Sequence, residues 1–212
     1  VLAYVYVIRE TDQEIAITQT ERKEVQARNL GEGGDVAPIP KMTFTDITQL
    51  AGLEFEHENG ARGEKLLPET MGGGCAFLDY DNDGDQDILL INSKSWEDLK
   101  PEMLGPTSKL YQNDGRGKYI DVSEQTGLNI ELYGMGCAVA DYDNDGNVDI
   151  FISALGGNRL LRNNNGVFVD QTEIAGLSDG PNNWSTSCTW FDMENDGDLD
   201  LFVCSYITWS KE

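Results

Sequence analysis

An acidic loop that recurs three times constrains this chain more than any other feature. Residues 72–92 read GGGCAFLDYDNDGDQDILLIN, residues 134–153 GMGCAVADYDNDGNVDIFIS, and residues 184–205 WSTSCTWFDMENDGDLDLFVCS. Each copy holds an apolar segment, a nine-residue acidic loop with one fixed glycine, and a second apolar segment. A cysteine stands four residues before each loop (Cys75, Cys137, Cys188), which locks the alignment of the copies. Self-similarity of this kind marks a repeat protein, to be read by its period.

The loop has the form D-x-[DE]-x-D-G-x-x-D. Side-chain oxygens at positions 1, 3, 5 and 9, with the main-chain carbonyl at 7, can surround a hard cation at roughly 2.3–2.6 Å. The first loop supplies Asp79, Asp81, Asp83 and Asp87 with the carbonyl of Asp85. The second supplies Asp141, Asp143, Asp145 and Asp149 with the carbonyl of Asn147. The third supplies Asp192, Glu194, Asp196 and Asp200 with the carbonyl of Asp198. Asn147 costs nothing if position 7 binds through its carbonyl alone. Gly84, Gly146 and Gly197 fall at position 6, where a sharp turn calls for positive φ. Carboxylates without His or Cys, on a flexible turn, favour Ca²⁺ over zinc or copper. Three calcium sites are therefore expected. An EF-hand begins similarly but needs a bidentate Glu at position 12 and flanking helices. Position 12 here is Leu90, Ile152 and Val203, inside β-branched runs, so an EF-hand does not fit.

The surrounding pattern is β. Residues 109–115 (KLYQNDG) and 159–166 (RLLRNNNG) read as a strand entering a tight turn. A second repeated phrase follows the turns: residues 118–128 (KYIDVSEQTGL) and 167–177 (VFVDQTEIAGL), with an earlier copy at 42–53 (MTFTDITQLAGL). A full repeat thus has four strands, GCAFLDY, DILLIN, KLYQN and KYIDVS in the first. Successive loops begin 62 and then 51 residues apart, and four short strands in such a period are the signature of a β-propeller blade. With residues 42–53 read as a lone outer strand, the expectation is an all-β chain of about two and a half blades. Propellers have about four or more, so the chain is expected to be a fragment of a larger one. Residues 93–107 form a longer loop carrying Trp96.

Composition separates function classes. A net charge of −23 opposes phosphate binding, so nucleic acid is not an expected partner. Fourteen of the 38 acidic residues lie in the three loops, so three Ca²⁺ ions would offset six of the excess charges. Surface calcium loops suit a periplasmic or extracellular setting. The equivalent cysteines read as small packing residues. Cys204 falls opposite Cys188 about a hairpin centre at Asp196, which opens the alternative of a cross-strand disulfide. Residues 1–8 (VLAYVYVI) are too few to span a bilayer, which takes about 20 residues. They read equally as the end of a membrane anchor and as an edge strand or buried helix start. Residues 10–30 read as a helix or stalk, and 31–40 (GEGGDVAPIP) as a linker.

The phrases FTDITQLAGLEFEHENG, LLPETMGGGCAFLDYDNDGDQDILLIN and LYQNDGRGKYIDVSEQTGL resemble the FG-GAP/VCBS calcium-binding repeats, which also occur in integrin α-subunit propellers. More closely, they are similar to the bacterial ASPIC/UnbV group, relatives of cartilage acidic protein. The resemblance covers about residues 42–208. It implies an exported or secreted seven-bladed propeller with calcium in the three loops. This chain departs from it by lacking the later blades and the C-terminal domain, and by Glu194, which could weaken or reshape the third site.

The expected function is a non-enzymatic, calcium-stabilised propeller, exported and tethered if residues 1–8 end an anchor, that acts as a binding or scaffold module. One alternative is an accessory extracytoplasmic subunit docked on a membrane protein complex; the expected partner is a protein or such a complex. A second alternative is a propeller hydrolase or lyase with structural calcium. There is no G-x-S-x-G elbow and no H-E-x-x-H. His57, between Glu56 and Glu58, is the sole histidine and the one candidate general base, set against a surface or capping role. Haem or Fe–S electron transfer has no C-x-x-C-H to support it. Glu69 reads as a turn cap, with a partner contact as the alternative. The tryptophans (Trp96, Trp184, Trp190, Trp209) read as packing residues, with Trp96 the candidate for exposure.

Overall fold

The computed structural model describes the backbone of residues 2–6, and residues 43–96 and 105–211 in full. The stalk and linker expected over residues 10–40 lie outside the described residues. Within these limits the chain is mostly antiparallel β-sheet.

The first repeat is a four-stranded sheet: β2 (Cys75–Leu78), β3 (Asp87–Leu90), β4 (Lys109–Asn113) and β5 (Tyr119–Asp121), paired in sequence order. The second repeats it with β6 (Tyr133–Ala140), β7 (Asp149–Leu155), β8 (Arg159–Asn164) and β9 (Val167–Asp170). The registers coincide: Ile88 faces Tyr111 as Ile150 faces Leu161, and Leu89 faces Leu110 as Phe151 faces Leu160. The third repeat contributes β10 (Asn183–Phe191) and β11 (Asp200–Thr208), and a single bridge, Trp184 to Leu155, joins β10 to β7. Strand β1 (Leu2–Tyr6) pairs antiparallel with β11, from Leu2 opposite Ser205 to Tyr6 opposite Leu201. Residues 2–6 therefore lie as an edge strand. Among the described residues, no helix is long and apolar enough to cross a membrane.

Packing between repeats follows from strand alternation. Ile150 and Ile152 on one face of β7 join Leu89, Ile91 and Leu110 of the first repeat in one apolar cluster. Phe151, on the opposite face, packs with Leu201 and Val203 of the third. All seven residues of β7 are consequently buried, as expected of a strand covered on both faces. The first strands of successive repeats lie close together. A Cβ on Gly74 would stand 2.9 Å from Gly136 Cα, and one on Gly136 would stand 2.9 Å from the Thr186 carbonyl. Side chains at these two positions would push the first strands apart.

The second repeated phrase ends in a short helical turn. Helix α1 (Thr48–Ala51), helix α2 (Ser123–Thr126) and the turn at residues 172–176 all end on a left-handed glycine, Gly52, Gly127 and Gly176. Leu53, Leu128 and Leu177 donate their N–H groups back to the carbonyls of Thr48, Ser123 and Thr172 at 3.1, 2.8 and 2.9 Å, the Schellman closure of a helical turn. Residues 43–53 are thus not the lone outer strand expected from their sequence. Among the described residues, 43–47 have no sheet partner, and a strand without one is not stable.

The disulfide alternative fails on register. Cys188 pairs with Val203, and Ser187 with Cys204. The hairpin is offset by one residue from symmetry about Asp196, so the two thiols point to opposite faces of the sheet. All four cysteines are free. Cys137 and Cys188 pack against apolar clusters, but Cys75 is exposed because nothing among the described residues covers its face of the first sheet.

Candidate metal centres

Each acidic loop connects the first and second strands of its repeat, and the three share one skeleton. The position-1 carboxylate accepts the N–H groups of positions 5 and 6. For Asp79 these are Asp83 and Gly84 at 3.1 and 2.9 Å, for Asp141 they are Asp145 and Gly146 at 2.9 and 2.8 Å, and for Asp192 they are Asp196 and Gly197 at 3.1 and 2.9 Å. Oδ1 at position 5 accepts the N–H of position 7 in all three, from Asp85, Asn147 and Asp198. The position-9 carboxylate accepts the N–H of position 2, from Tyr80, Tyr142 and Met193 at 3.1, 3.1 and 2.9 Å. Gly84, Gly146 and Gly197 have φ of 92°, 90° and 93°, which is why position 6 is glycine.

Oxygens of Asp79, Asp81 and Asp87 come within 4.8 Å of one another, as do those of Asp141, Asp143 and Asp149. Positions 1, 3 and 9 therefore converge in the first two loops. Asp83 and Asp145 fall outside these groups, with Oδ1 turned to the position-7 N–H. At position 7 the side chains have neighbours of their own, which fits binding through the carbonyl. Asp85 lies over Gly115, where a Cβ would come within 2.5 Å of its carboxylate, and Asn147 donates to Asp145 Oδ1 at 2.8 Å. The third loop keeps the skeleton, but Asp192, Glu194 and Asp200 form no such group among the described residues. Its one altered ligand position is Glu194, whose carboxylate sits one methylene further from the backbone.

Electrostatics fit a cation at these points. Asp87 and Asp149 are completely buried. Burial pushes the Asp149 carboxyl up to about 6, with Asp143 and Asp145 adding to the rise; Asp87 is raised for the same reasons. Asp81 Oδ1 is buried with no hydrogen-bond partner. Carboxylates packed in this way repel one another without a positive charge. An all-oxygen donor set and an orphaned acceptor in the first centre suit Ca²⁺.

Two strand residues that the sequence reading passed over complete the surroundings. Asn113 and Asn163, at equivalent places in KLYQN and RLLRN, donate their backbone N–H to Asp87 Oδ1 and Asp149 Oδ1 at 2.8 and 2.7 Å. The residue before each reaches position 3: Gln112 Nε2 donates to Asp81 Oδ2 at 2.6 Å, whereas Arg162 Nε lies 2.6 Å from Asp143 Oδ2. Arg162 Nη2 also pairs with Asp145 at 2.8 Å. Backbone and side-chain donors of Asn147, with Arg162, hold Asp145 below the usual carboxylate range. The first centre thus has a neutral neighbour and the second a cationic one. Aligning KLYQN with RLLRN would have flagged both positions.

The remaining candidates make local contacts. His57 Nε2 accepts the Gly73 N–H at 3.1 Å. Glu69 Oε2 caps the turn at residues 67–70 by accepting the Leu66 N–H at 3.1 Å. Trp184 is fully buried, Trp190 stacks on Tyr142 at 5.8 Å, and Trp96 stacks on Tyr133 at 4.4 Å and meets Trp209 at 5.2 Å. Trp96 is packed, not displayed.

The FG-GAP-like repeat profile matches residues 79–152 and 146–203, so each match opens or closes on one of these loops and their strands. The chain belongs to the FG-GAP-like repeat family. It is also similar to cartilage acidic protein 1 of Xenopus tropicalis, with 30% identity over 117 residues, covering 53% of this chain. That stretch is 18% of the frog protein's length, so this FG-GAP-like chain corresponds to a small part of that relative.

Proposed function

We propose that this chain is part of a non-enzymatic, calcium-stabilised β-propeller, exported from the cytoplasm, whose rigid surface binds a protein partner. The observation that carries the reading is the pair of matching carboxylate groups, Asp79–Asp81–Asp87 and Asp141–Asp143–Asp149, each set in the same loop of successive sheets. Calcium there ties the first two strands of a repeat together at one end. The close approach of Gly74 to Gly136 and of Gly136 to Thr186 supports a propeller in which the first strands lie innermost. Phe77, 64% exposed on the uncovered face of the first sheet, supports a further blade on that side.

Calcium occupies the first two centres, and the third more weakly because of Glu194. The partner is a protein or a membrane complex presenting its extracytoplasmic face. A non-enzymatic role is favoured because the one histidine spends Nε2 on the Gly73 N–H. The test is thermal unfolding in saturating Ca²⁺ and in EDTA, with bound metal counted after gel filtration. Two or three bound ions and a clear rise in melting temperature are expected. An unchanged melting temperature with no bound ion sinks the reading.

A further inference from the structure

The two converged centres are joined by hydrogen bonds between loops. Asn82, at position 4 of the first loop, donates through Nδ2 to the Gly146 carbonyl at 3.3 Å and to Asn147 Oδ1 at 3.1 Å, both in the second loop. Asn144, at position 4 of the second loop, donates to the Gly197 carbonyl of the third at 3.4 Å. Both asparagines hold left-handed backbone, φ 60° and 57°, a conformation Asn tolerates better than most residues. A second link is buried. Asn163, completely buried, donates through Nδ2 to the Tyr80 carbonyl at 2.8 Å, while its own N–H binds Asp149. The Tyr80 N–H in turn binds Asp87. A continuous path therefore runs from the position-9 carboxylate of one centre, through Tyr80 and Asn163, to that of the next.

We infer that Asn82 and Asn163 are positioning residues that couple the first and second centres, so that they fill with calcium cooperatively. The inference rests on the calcium reading above. An ion-free loop must be ordered when its ion binds. If the links carry that order to the neighbour, the second ion meets a loop already arranged and binds more tightly. Two dications repel, so unlinked loops would fill with equal or falling affinity. Only a physical link gives rising affinity. Coupling between linked sites commonly changes affinity by about fivefold or more, and it acts equally in both directions.

Calcium titration calorimetry on the whole chain tests this with a cycle of variants. Asn82→Gly removes the exposed link and keeps the left-handed backbone unstrained. Asp149→Asn disables the second centre. In the parent chain, disabling the second centre is expected to weaken the first about fivefold or more. In the Asn82→Gly background, where the Asn163 link remains, that loss is expected to shrink measurably, and the parent's steep isotherm to become shallower. Simple destabilisation by Asn82→Gly would leave the ratio unchanged. Calcium binding with independent sites, the same with and without Asn82, overturns the coupling and leaves the calcium reading standing. Absence of binding in the parent chain overturns both.

Discussion

Asp149→Asn is the substitution whose consequences can be worked most fully. The parent carboxylate is completely buried, with Oδ1 accepting the Asn163 N–H at 2.7 Å and Oδ2 the Tyr142 N–H at 3.1 Å. An amide of the same shape keeps one acceptor and turns an NH₂ towards the other N–H. Losing a hydrogen bond to a charged group costs about 1.5–3 kcal/mol. Against this, the parent carboxyl is pushed up to about 6 by burial, so ionising it at pH 7.5 without an ion already costs the native state something that the neutral amide avoids. In EDTA the two effects oppose, and a net loss of about 1–2 kcal/mol is expected.

In calcium the balance changes. An ion at a free concentration 100 times its Kd stabilises the native state by about 2.7 kcal/mol per site. Two filled centres give the parent chain about 5 kcal/mol over its EDTA value; the variant keeps about half, or less if the centres are coupled. Urea unfolding followed by tryptophan fluorescence, with Trp184 fully buried as reporter, measures both increments in matched buffers. A variant with the parent's full calcium increment would refute the placement of Asp149 among the ligands.

Four further outcomes are expected. Arg162→Gln, which copies Gln112 into the second repeat, removes a unit charge beside that centre and tightens its calcium by roughly tenfold at most, read by chelator competition. Glu194→Asp brings a carboxylate back to the distance used in the first two loops and raises tightly bound calcium from two ions to three, read by metal analysis. Because the folded state holds its proton on Asp149 up to about 6, above the ordinary carboxylate value, this group's contribution to ion-free stability falls as pH rises from about 4 to 6 and is constant above. Protons compete with calcium over the same window, so the melting shift produced by calcium grows as pH rises through it, read by melts at pH 5 and 7.5. Exposed Cys75 reacts first with a disulfide reagent at pH 8, while the thiols of Cys137 and Cys188, pushed up by burial to about 12 and about 11, react only on unfolding.

What the sequence disclosed was whatever one repeat determines by itself. The acidic loop is nine residues long, so the convergence of Asp79, Asp81 and Asp87, the glycine turn and the strand at Leu90 could be read from spacing alone. The four strands were legible for the same reason, since alternation and Asn-Gly turns act over a few residues. Contacts that depend on register or on a neighbouring repeat were not. A one-residue offset in the β10–β11 hairpin was enough to separate Cys188 from Cys204. The pairing of Arg162 with Asp143 requires β8 to lie beside the loop, and nothing in RLLRN announces a cation-site neighbour until it is set against KLYQN. Asn82 and Asn163 are the clearest case. Within one repeat, Asn82 is a left-handed turn residue and Asn163 a strand residue beside a turn, and both are explained by those local duties. Their second hydrogen bonds exist only between repeats, and the proposal of coupled ion binding rests on them. In a repeat protein, residues that satisfy a local rule and also bridge to the next unit are the ones a single-repeat reading passes over.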